Sequence, residues 1–548
     1  MPEDGRKRVL IAGGGIAALE AALALREHAA DRVRIELLAP DPYFWYQPLS
    51  VTEPFGLGEA VRLEIDGLAR RLRGNRTPGG LTGIDAWRHV AHTTRNLELE
   101  YDVLLVACGA LPLPAVPGAT TFRGAADAEK MTVVLDELAT GEASSLAFVV
   151  PWGATWSLPA YELALLTATH LGHHGVEGEL TLVTPEADPL QLFGPPASEA
   201  IRRLLAEAGV TLRCGQYAGG FGDGVLELVP GPALAVDRVV ALPRLEGAPL
   251  DGLPQTLTGF VPVDDHGRVH GVADVYAAGD VTSFPVKQGG LATQQADAAA
   301  EAIAAAVGAD VEPQPFRPVL RGLLLTGRAP RYLRRELSGV PERAPVAASE
   351  TLWWPPAKVV GRYLAPFLAE LAGLEGVAAE PIPEHPAVPV EVELDSAALA
   401  DLATTRIPLD VVPYEGTRVA EVMDAHPVVA GADQTLDDVA EKLVEHGSTA
   451  CLVVSSGRLV GIVTATDVVR ASAARVQPHE LPVRLWMTVD PIAVPPSYPA
   501  SAAALLMSEY GIHHLPVVEN DRVLGLVELE DVLATSSTAT QATGTATI

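Results

Sequence analysis

The chain is expected to be an α/β protein of parallel sheets flanked by helices in three layers, followed by a smaller α+β repeat pair. Three observations predict this. Over the first ~315 residues, apolar strand patterns alternate with Ala-rich helical ones, the pattern of βαβ units. A glycine-rich turn joins the first strand to the first helix. Near the C-terminus the sequence repeats at an offset of 64 residues, placing Met423 on Met487, Pro427 on Pro491, Gly461 on Gly525 and Asp467 on Asp531. Two copies are too few for a solenoid and point to one pseudo-symmetric pair.

The first segment, "KRVLIAGGGIAALEAALAL", reads as strand, tight turn and helix. Gly13-x-Gly15-x-x-Ala18, with Gly14 and Ala17 inside it, fits the dinucleotide fingerprint. There, glycine lets backbone approach a pyrophosphate at the positive end of a helix. The next strand should end in an acid for the adenosine ribose; that position carries Ala39, with Asp41 two residues later. Gln47 and Pro48 complete the cofactor-side candidates of this stretch. "YDVLLVACGALP" is a buried strand ending in Ala107-Cys108-Gly109, and "GVADVYAAGD" is another, ending in Gly279-Asp280 before a Gly-rich turn and helix. Cys108 is read as a small buried residue and not a nucleophile.

These three ordered motifs resemble the two-dinucleotide-binding-domain flavoproteins, in the branch of type II NADH dehydrogenases and sulfide:quinone oxidoreductases, over about residues 7–375. The resemblance implies two Rossmann-like domains: an FAD-binding one at 1–135 and 255–315, and an NAD(P)-binding-like one at 136–254. It also implies that Asp280 bonds the ribityl or pyrophosphate region of FAD. Lys287, Gln288, Gly289 and Gly290 would pass near the isoalloxazine, where a helix end and a cation stabilise negative charge on reduced flavin. Lys287 is thus one catalytic candidate, with a solvated surface lysine as the alternative.

The second fingerprint is degraded. Where the resembled dehydrogenases carry GxGxxGxE, this chain has "PWGATWSLPAYE", in which only Gly153 and Glu162 survive. Proline lacks an N–H for a phosphate, and Trp152 and Trp156 fill space that glycine leaves open. The following strand ends in Thr184-Pro185-Glu186 without an acid at the usual ribose position. Glu162 is the second catalytic candidate, as a carboxylate facing the flavin or, alternatively, capping a helix N-terminus. The three cysteines, Cys108, Cys214 and Cys451, stand far apart and form no CxxC pair. None falls where the sulfide enzymes of the resembled branch place a reactive thiol, which disfavours persulfide chemistry. No metal site is assigned.

From Arg317 to Tyr363 there are nine Lys or Arg against three Glu, inside a chain whose net charge is −30. Segment 316–376 is therefore expected to form basic amphipathic helices at a membrane interface (contact through 317–374) or a dimer interface. An acidic, Pro-rich linker is expected at 377–414, the repeat pair at 415–537 (copies at about 418–472 and 482–537), and a polar tail at 538–548. The repeats resemble a tandem CBS pair. In that family an [ST]xx[DN] turn holds an adenosine ribose, implying Thr464 and Asp467 in the first copy. Asp531 is the counterpart in the second, where Glu528 replaces the hydroxyl residue. AMP, ATP or NAD is the expected ligand.

The acidic balance argues against nucleic acid. No signal region and no apolar run of ~20 residues stands out, so the expected location is cytoplasmic, with peripheral contact to the inner membrane face left open. The resulting expectation is an FAD-dependent oxidoreductase that is too acidic for nucleic acid and is built as a homodimer. Its electrons come from NAD(P)H or a small reductant and go to a quinone or soluble acceptor, under nucleotide control. The rivals are a low-turnover flavin and nucleotide sensor and an atypical sulfide:quinone-type enzyme.

Overall fold

Val9, Leu10 and Ile11 are buried without alternation, as a central parallel strand covered on both faces requires. In the computed structural model they lie in β1 (Lys7–Ala12), followed by α1 (Ile16–Ala29), β2 (Val33–Ala39), β3 (Asn75–Pro78) and β4 (Val103–Val106). The described residues are 5–371 and 418–531, except 59–61, 230, 257, 338–345, 349–351, 354–356, 456, 466, 469–481, 486, 490, 499, 501–502, 504–506, 508–511, 520–521 and 529–530. The expected linker at 377–414 and tail at 538–548 fall outside them. The chain divides into two units, 1–406 and 407–548.

The chain next passes through α2 (Ala128–Thr140) and a second sheet. This contains β5 (Thr120–Thr121), β6 (Ser145–Val149), β7 (Glu179–Val183), β8 (Val210–Arg213) and β9 (Arg238–Ala241), with α3 (Leu158–His174) joining β6 to β7. It returns to the first sheet with β10 (Val275–Ala277) and then forms α4 (Gly289–Ala306). Both sheets are parallel. Their orders are β10-β4-β1-β2-β3 and β5-β9-β6-β7-β8. Each order therefore reverses beside its first long strand, between β4 and β1 and between β9 and β6. In doubly wound sheets such a switch point opens the ligand crevice.

Small residues bring α1 and α4 together. Ala17, Ala21 and Ala24 share one core with Ala292, Ala296 and Ala299. A Cβ at Gly279, the residue two after β10, would lie 3.0 Å from that of Ala17.

Segment 316–376 differs from expectation. It forms an antiparallel sheet of β11 (Val319–Leu324), β12 (Arg331–Glu336) and β13 (Val346–Ala348), and its described helix is the short α5 (Leu364–Leu371). Leu320 and Leu324 join the core of the second domain while Arg321 lies between them in sequence. Leu320, Gly322 and Leu324 are buried while Val319 and Arg321 are only half-buried, which is the period of two of a strand. The basic residues are partly consumed internally: Arg334 pairs with Glu336 at 2.6 Å, and Arg335 donates to the carbonyls of Gln191 and Leu192. Trp353 is buried against Tyr332 with its indole N–H on the Ala357 carbonyl. Glu20 of α1 accepts the Tyr363 and Leu364 amides at 2.9 and 2.6 Å, capping α5 from outside. No helix among the described residues is long and apolar enough to cross a membrane.

The second unit contains β14 (Val429–Gly431), α6 (Leu436–His446), the hairpin β15 (Ala450–Ser455) and β16 (Arg458–Thr464), then β17 (Thr488–Val489) and the hairpin β18 (His514–Glu519) and β19 (Arg522–Glu528). The repeats exchange their leading segments. A Cβ at Gly461 of the first copy would meet Met487, which opens the second, and one at Gly525 would meet Met423, which opens the first. That reciprocity explains why the glycine and the methionine recur together at the same offset.

Candidate functional site

Three sequence motifs converge at one place. Gly13–Gly15 follows β1, Ala107–Gly109 follows β4 and Gly279–Asp280 follows β10, and these are adjacent strands on either side of the switch point. The glycines do different work. Gly13 has φ +151°, and a Cβ there would lie 2.1 Å from the Ala107 carbonyl oxygen; one at Gly14 would lie 2.6 Å from Ile65 and 3.0 Å from the Ala39 Cβ. Those two permit close packing. Gly15 is exposed, and a Cβ there meets nothing within 4 Å. As N-cap of α1 it offers no side chain to the first-turn N–H groups, which leaves the helix's positive end to a ligand. Gly109, at φ +74°, likewise faces open space. These residues fit a dinucleotide.

Cys108 corrects the sequence reading. It is exposed, because it follows β4 at the crevice between Gly13 and Gly109. Burial of its surroundings pushes the thiol up to about 11, so at neutral pH it is a thiol and not a nucleophilic thiolate. Ala39 is buried at the end of β2, and its carbonyl accepts from Arg76 at 3.0 Å. Asp41 is exposed and bonds the Tyr43 amide two residues on, at 2.8 Å. Gln47 and Pro48 start the 3-10 helix Gln47–Phe55, with Gln47 beside Gly124.

Around α4, Gln288 is the N-cap: its side chain accepts the Leu291 N–H at 2.9 Å and donates to the Arg321 carbonyl at 3.1 Å. Gly289 sits under Val359 and Ile16, and Gly290 beside the Gln288 amide. Lys287 is buried, not solvated. Its Nζ donates to the Thr282 carbonyl and lies 3.7 Å from the centroid of the Phe260 ring. Burial lowers its pKa to about 7, with Asp280 acting in the opposite sense. Burial raises the Asp280 carboxyl, and Lys287 partly reverses this. The two groups thus share one low-dielectric neighbourhood at the ends of β10 and α4.

Glu162 does not face the crevice. It is 0% exposed, pairs with Lys358 at 2.6 Å and accepts the Leu325 amide at 2.8 Å. Nor does it cap α3, whose own first residue is Leu158. Lys358 was invisible as a partner because 196 residues separate the two. Tyr46 was missed for the same reason; its hydroxyl accepts the Val359 amide at 2.9 Å.

At the second switch point, eight residues (150–157) separate β6 from α3, where three (13–15) separate β1 from α1. Pro151 is buried, and Trp156 meets Phe193 edge-to-face. Pro159 stands in the first turn of α3. Glu186, just beyond β7, is buried and accepts from Ser157 at 3.0 Å, Tyr161 at 2.7 Å and Thr184 at 2.9 Å. Burial raises its pKa, and those three donors lower it.

Residues 7–306 match the pyridine nucleotide-disulphide oxidoreductase family. The chain belongs to this family. Residues 419–474 and 483–537 each match the CBS domain. The oxidoreductase is 30% identical over 297 residues to the NADH dehydrogenase-like protein MT1860 of Mycobacterium tuberculosis (strain CDC 1551 / Oshkosh), covering 50% of this chain and 73% of that protein. Its repeat region is 27% identical over 128 residues to the CBS domain-containing protein YhcV of Bacillus subtilis (strain 168), covering 23% of this chain and 91% of that protein. The sulfide:quinone oxidoreductase of Aquifex aeolicus shares the fold, with a TM-score of 0.57 at 19% identity over 63% of this chain and 87% of that chain. The chain is therefore an FAD-type oxidoreductase carrying a tandem CBS pair.

In the CBS pair, Thr464 donates from both its amide and its hydroxyl to Asp467, at 2.8 and 2.7 Å. In the second copy Asp531 accepts the Glu528 amide at 3.2 Å, while the Glu528 carboxylate accepts from Thr449 at 3.1 Å. The Glu528 side chain is thus turned toward the first repeat.

Proposed function

We propose that the oxidoreductase holds FAD across the β4/β1 switch point, takes electrons from a small reductant bound elsewhere than at the second fingerprint, and delivers them to a quinone or soluble acceptor. The observation that carries this reading is the meeting of Gly15, Gly109 and Asp280 on adjacent strand ends beside an uncapped helix N-terminus. Gly15 would hold the pyrophosphate side, with Gly13, Gly14, Ala17 and Ala18 packing the turn that presents it, and Asp280, Gln288, Gly289 and Gly290 would hold the flavin side. Bound FAD supplies reversible two-electron chemistry. The chain's own part is to shelter the site and set its charge. Lys287, able to gain or lose a proton near neutral pH, adjusts positive charge next to Asp280.

Support for a donor other than NAD(P)H comes from the long proline-containing turn before α3 and from the Glu186 carboxyl behind it. The CBS pair would bind an adenine nucleotide at Thr464 and Asp467 and modulate turnover, with the second copy disabled by Glu528. The test is anaerobic stopped flow on the FAD-loaded chain. Bleaching by a small organic or inorganic donor that outpaces NADH and NADPH by at least about tenfold is expected. Equal or faster bleaching by NADH overturns the donor assignment, and a chain that retains no FAD overturns the whole reading.

A further inference from the structure

The last turn of α3 carries a feature that electron transfer does not use. His170 and His174 are one helical turn apart, so their side chains project from the same face. Their rings have centroids 4.4 Å apart, inclined at 37°. The His174 Nδ1 is 2.8 Å from the His170 carbonyl oxygen. That contact makes Nδ1 the protonated nitrogen and leaves the Nε2 lone pair outward, the tautomer in which metal-bound histidine is normally held by a backbone carbonyl. His170 is oriented independently by an edge-on contact with Phe55 at 5.9 Å. His173 and Asp136 act electrostatically on His170, and Asp136 lies on the neighbouring helix α2. The helix ends at His174, with Gly175 left-handed at φ +65°. Its C-terminal carbonyls thus add partial negative charge where a cation would sit.

We propose that His170 and His174 chelate a divalent late transition-metal ion at the end of α3. Two neutral imidazoles at i and i+4 select zinc, nickel or copper over calcium and magnesium, which prefer oxygen ligands. Such an ion would pin the last turn of α3, on the second domain. It is independent of the electron-transfer reading, because none of these residues belongs to that site. Elsewhere among the described residues, Asp264, Asp265 and His266 form an exposed group with metal-compatible spacing. There the His266 Nδ1 is already held by the Asp265 carboxylate at 2.7 Å, so the group serves as the control.

The experiment is calorimetric titration of the metal-stripped full-length chain with Zn²⁺ alone. The wild type is expected to bind one equivalent. His170→Gln and His174→Gln should each weaken binding by at least about tenfold, Asp136→Asn by less, and His266→Gln not at all. Circular dichroism of each variant confirms folding, and Mg²⁺ in place of Zn²⁺ should give no heat of binding. Absence of a one-equivalent isotherm in the wild type, wild-type affinity in either single His variant, or loss of binding on His266→Gln would each overturn the assignment.

Discussion

Removing one half of the buried Glu162–Lys358 pair should be among the most costly single changes in the first unit. In Lys358→Met the carboxylate keeps only the Leu325 amide, in a position with 0% exposure. Leaving one charge of a buried pair without its partner costs about 3–5 kcal/mol. With an unfolding entropy near 2 cal/mol/K per residue over roughly 370 residues, that lowers Tm by about 4–7 °C. The double variant Glu162→Gln/Lys358→Met removes both charges and keeps an acceptor for the Leu325 amide. It should recover most of the loss, since a neutral replacement of similar shape avoids the desolvation cost.

The pH dependence gives a second check. Burial already raises the Glu162 pKa, with Lys358 opposing it, so without Lys358 the folded-state pKa moves higher still. A carboxyl raised in the folded state favours folding below its unfolded pKa, and that contribution is lost as pH rises through the folded value. The Lys358→Met deficit should therefore shrink at pH 5 and widen at pH 8. Differential scanning calorimetry of the three proteins at both pH values decides. A single variant within about 1 kcal/mol of wild type, or a double variant no better than the single, refutes this account.

Two further outcomes separate packing from ligand binding. Gly13→Ala forces a Cβ against the Ala107 carbonyl at φ +151° and should cost roughly 3 kcal/mol or more in the FAD-free chain. Gly15→Ala meets no atom, so it should leave the FAD-free Tm nearly unchanged while abolishing flavin absorbance after reconstitution. Asp297→Asn should stabilise the fold at neutral pH. Burial, then the neighbouring Glu20, push the Asp297 carboxyl up to about 9, so its favourable contribution is present below about pH 4 and is lost between there and pH 9. Asn keeps a donor for Glu20 without that loss. The Tm difference from wild type should grow across that window and then level off.

The alternating strands and helices, the glycine turn after β1 and the repeat pair were legible because each depends on residues close together in sequence. Gly13 and Gly15 declare a turn by composition alone, and the 64-residue offset needs no partner. The sheet at 319–348 was misread as helix because a count of nine basic residues against three acidic ones carries no period. The alternation of Leu320, Arg321 and Gly322 does carry one, and a Cβ at Gly322 would lie 2.6 Å from the Phe193 ring. Cys108 was misjudged for a different reason: strand hydrophobicity reports that β4 is buried, but not that the strand ends at an open crevice.

The turn before α3 shows how a segment that lacks the fingerprint glycines is held by its own side chains. A helix N-terminus facing a phosphate needs free N–H groups and no competing carboxylate. Here Pro159 contributes no N–H, the N-cap residue Ser157 spends its hydroxyl on Glu186, and Tyr161 and Thr184 satisfy the rest of that carboxyl. Glycines introduced into the turn would therefore leave the Ser157 and Tyr161 bonds to Glu186 in place. Glu186 would remain beneath the turn, and removing it would leave three buried hydroxyls without their acceptor, at roughly 1–3 kcal/mol each. Of the four residues of this network, Ser157, Tyr161 and Thr184 are thus each held in place by Glu186, and Glu186 by all three.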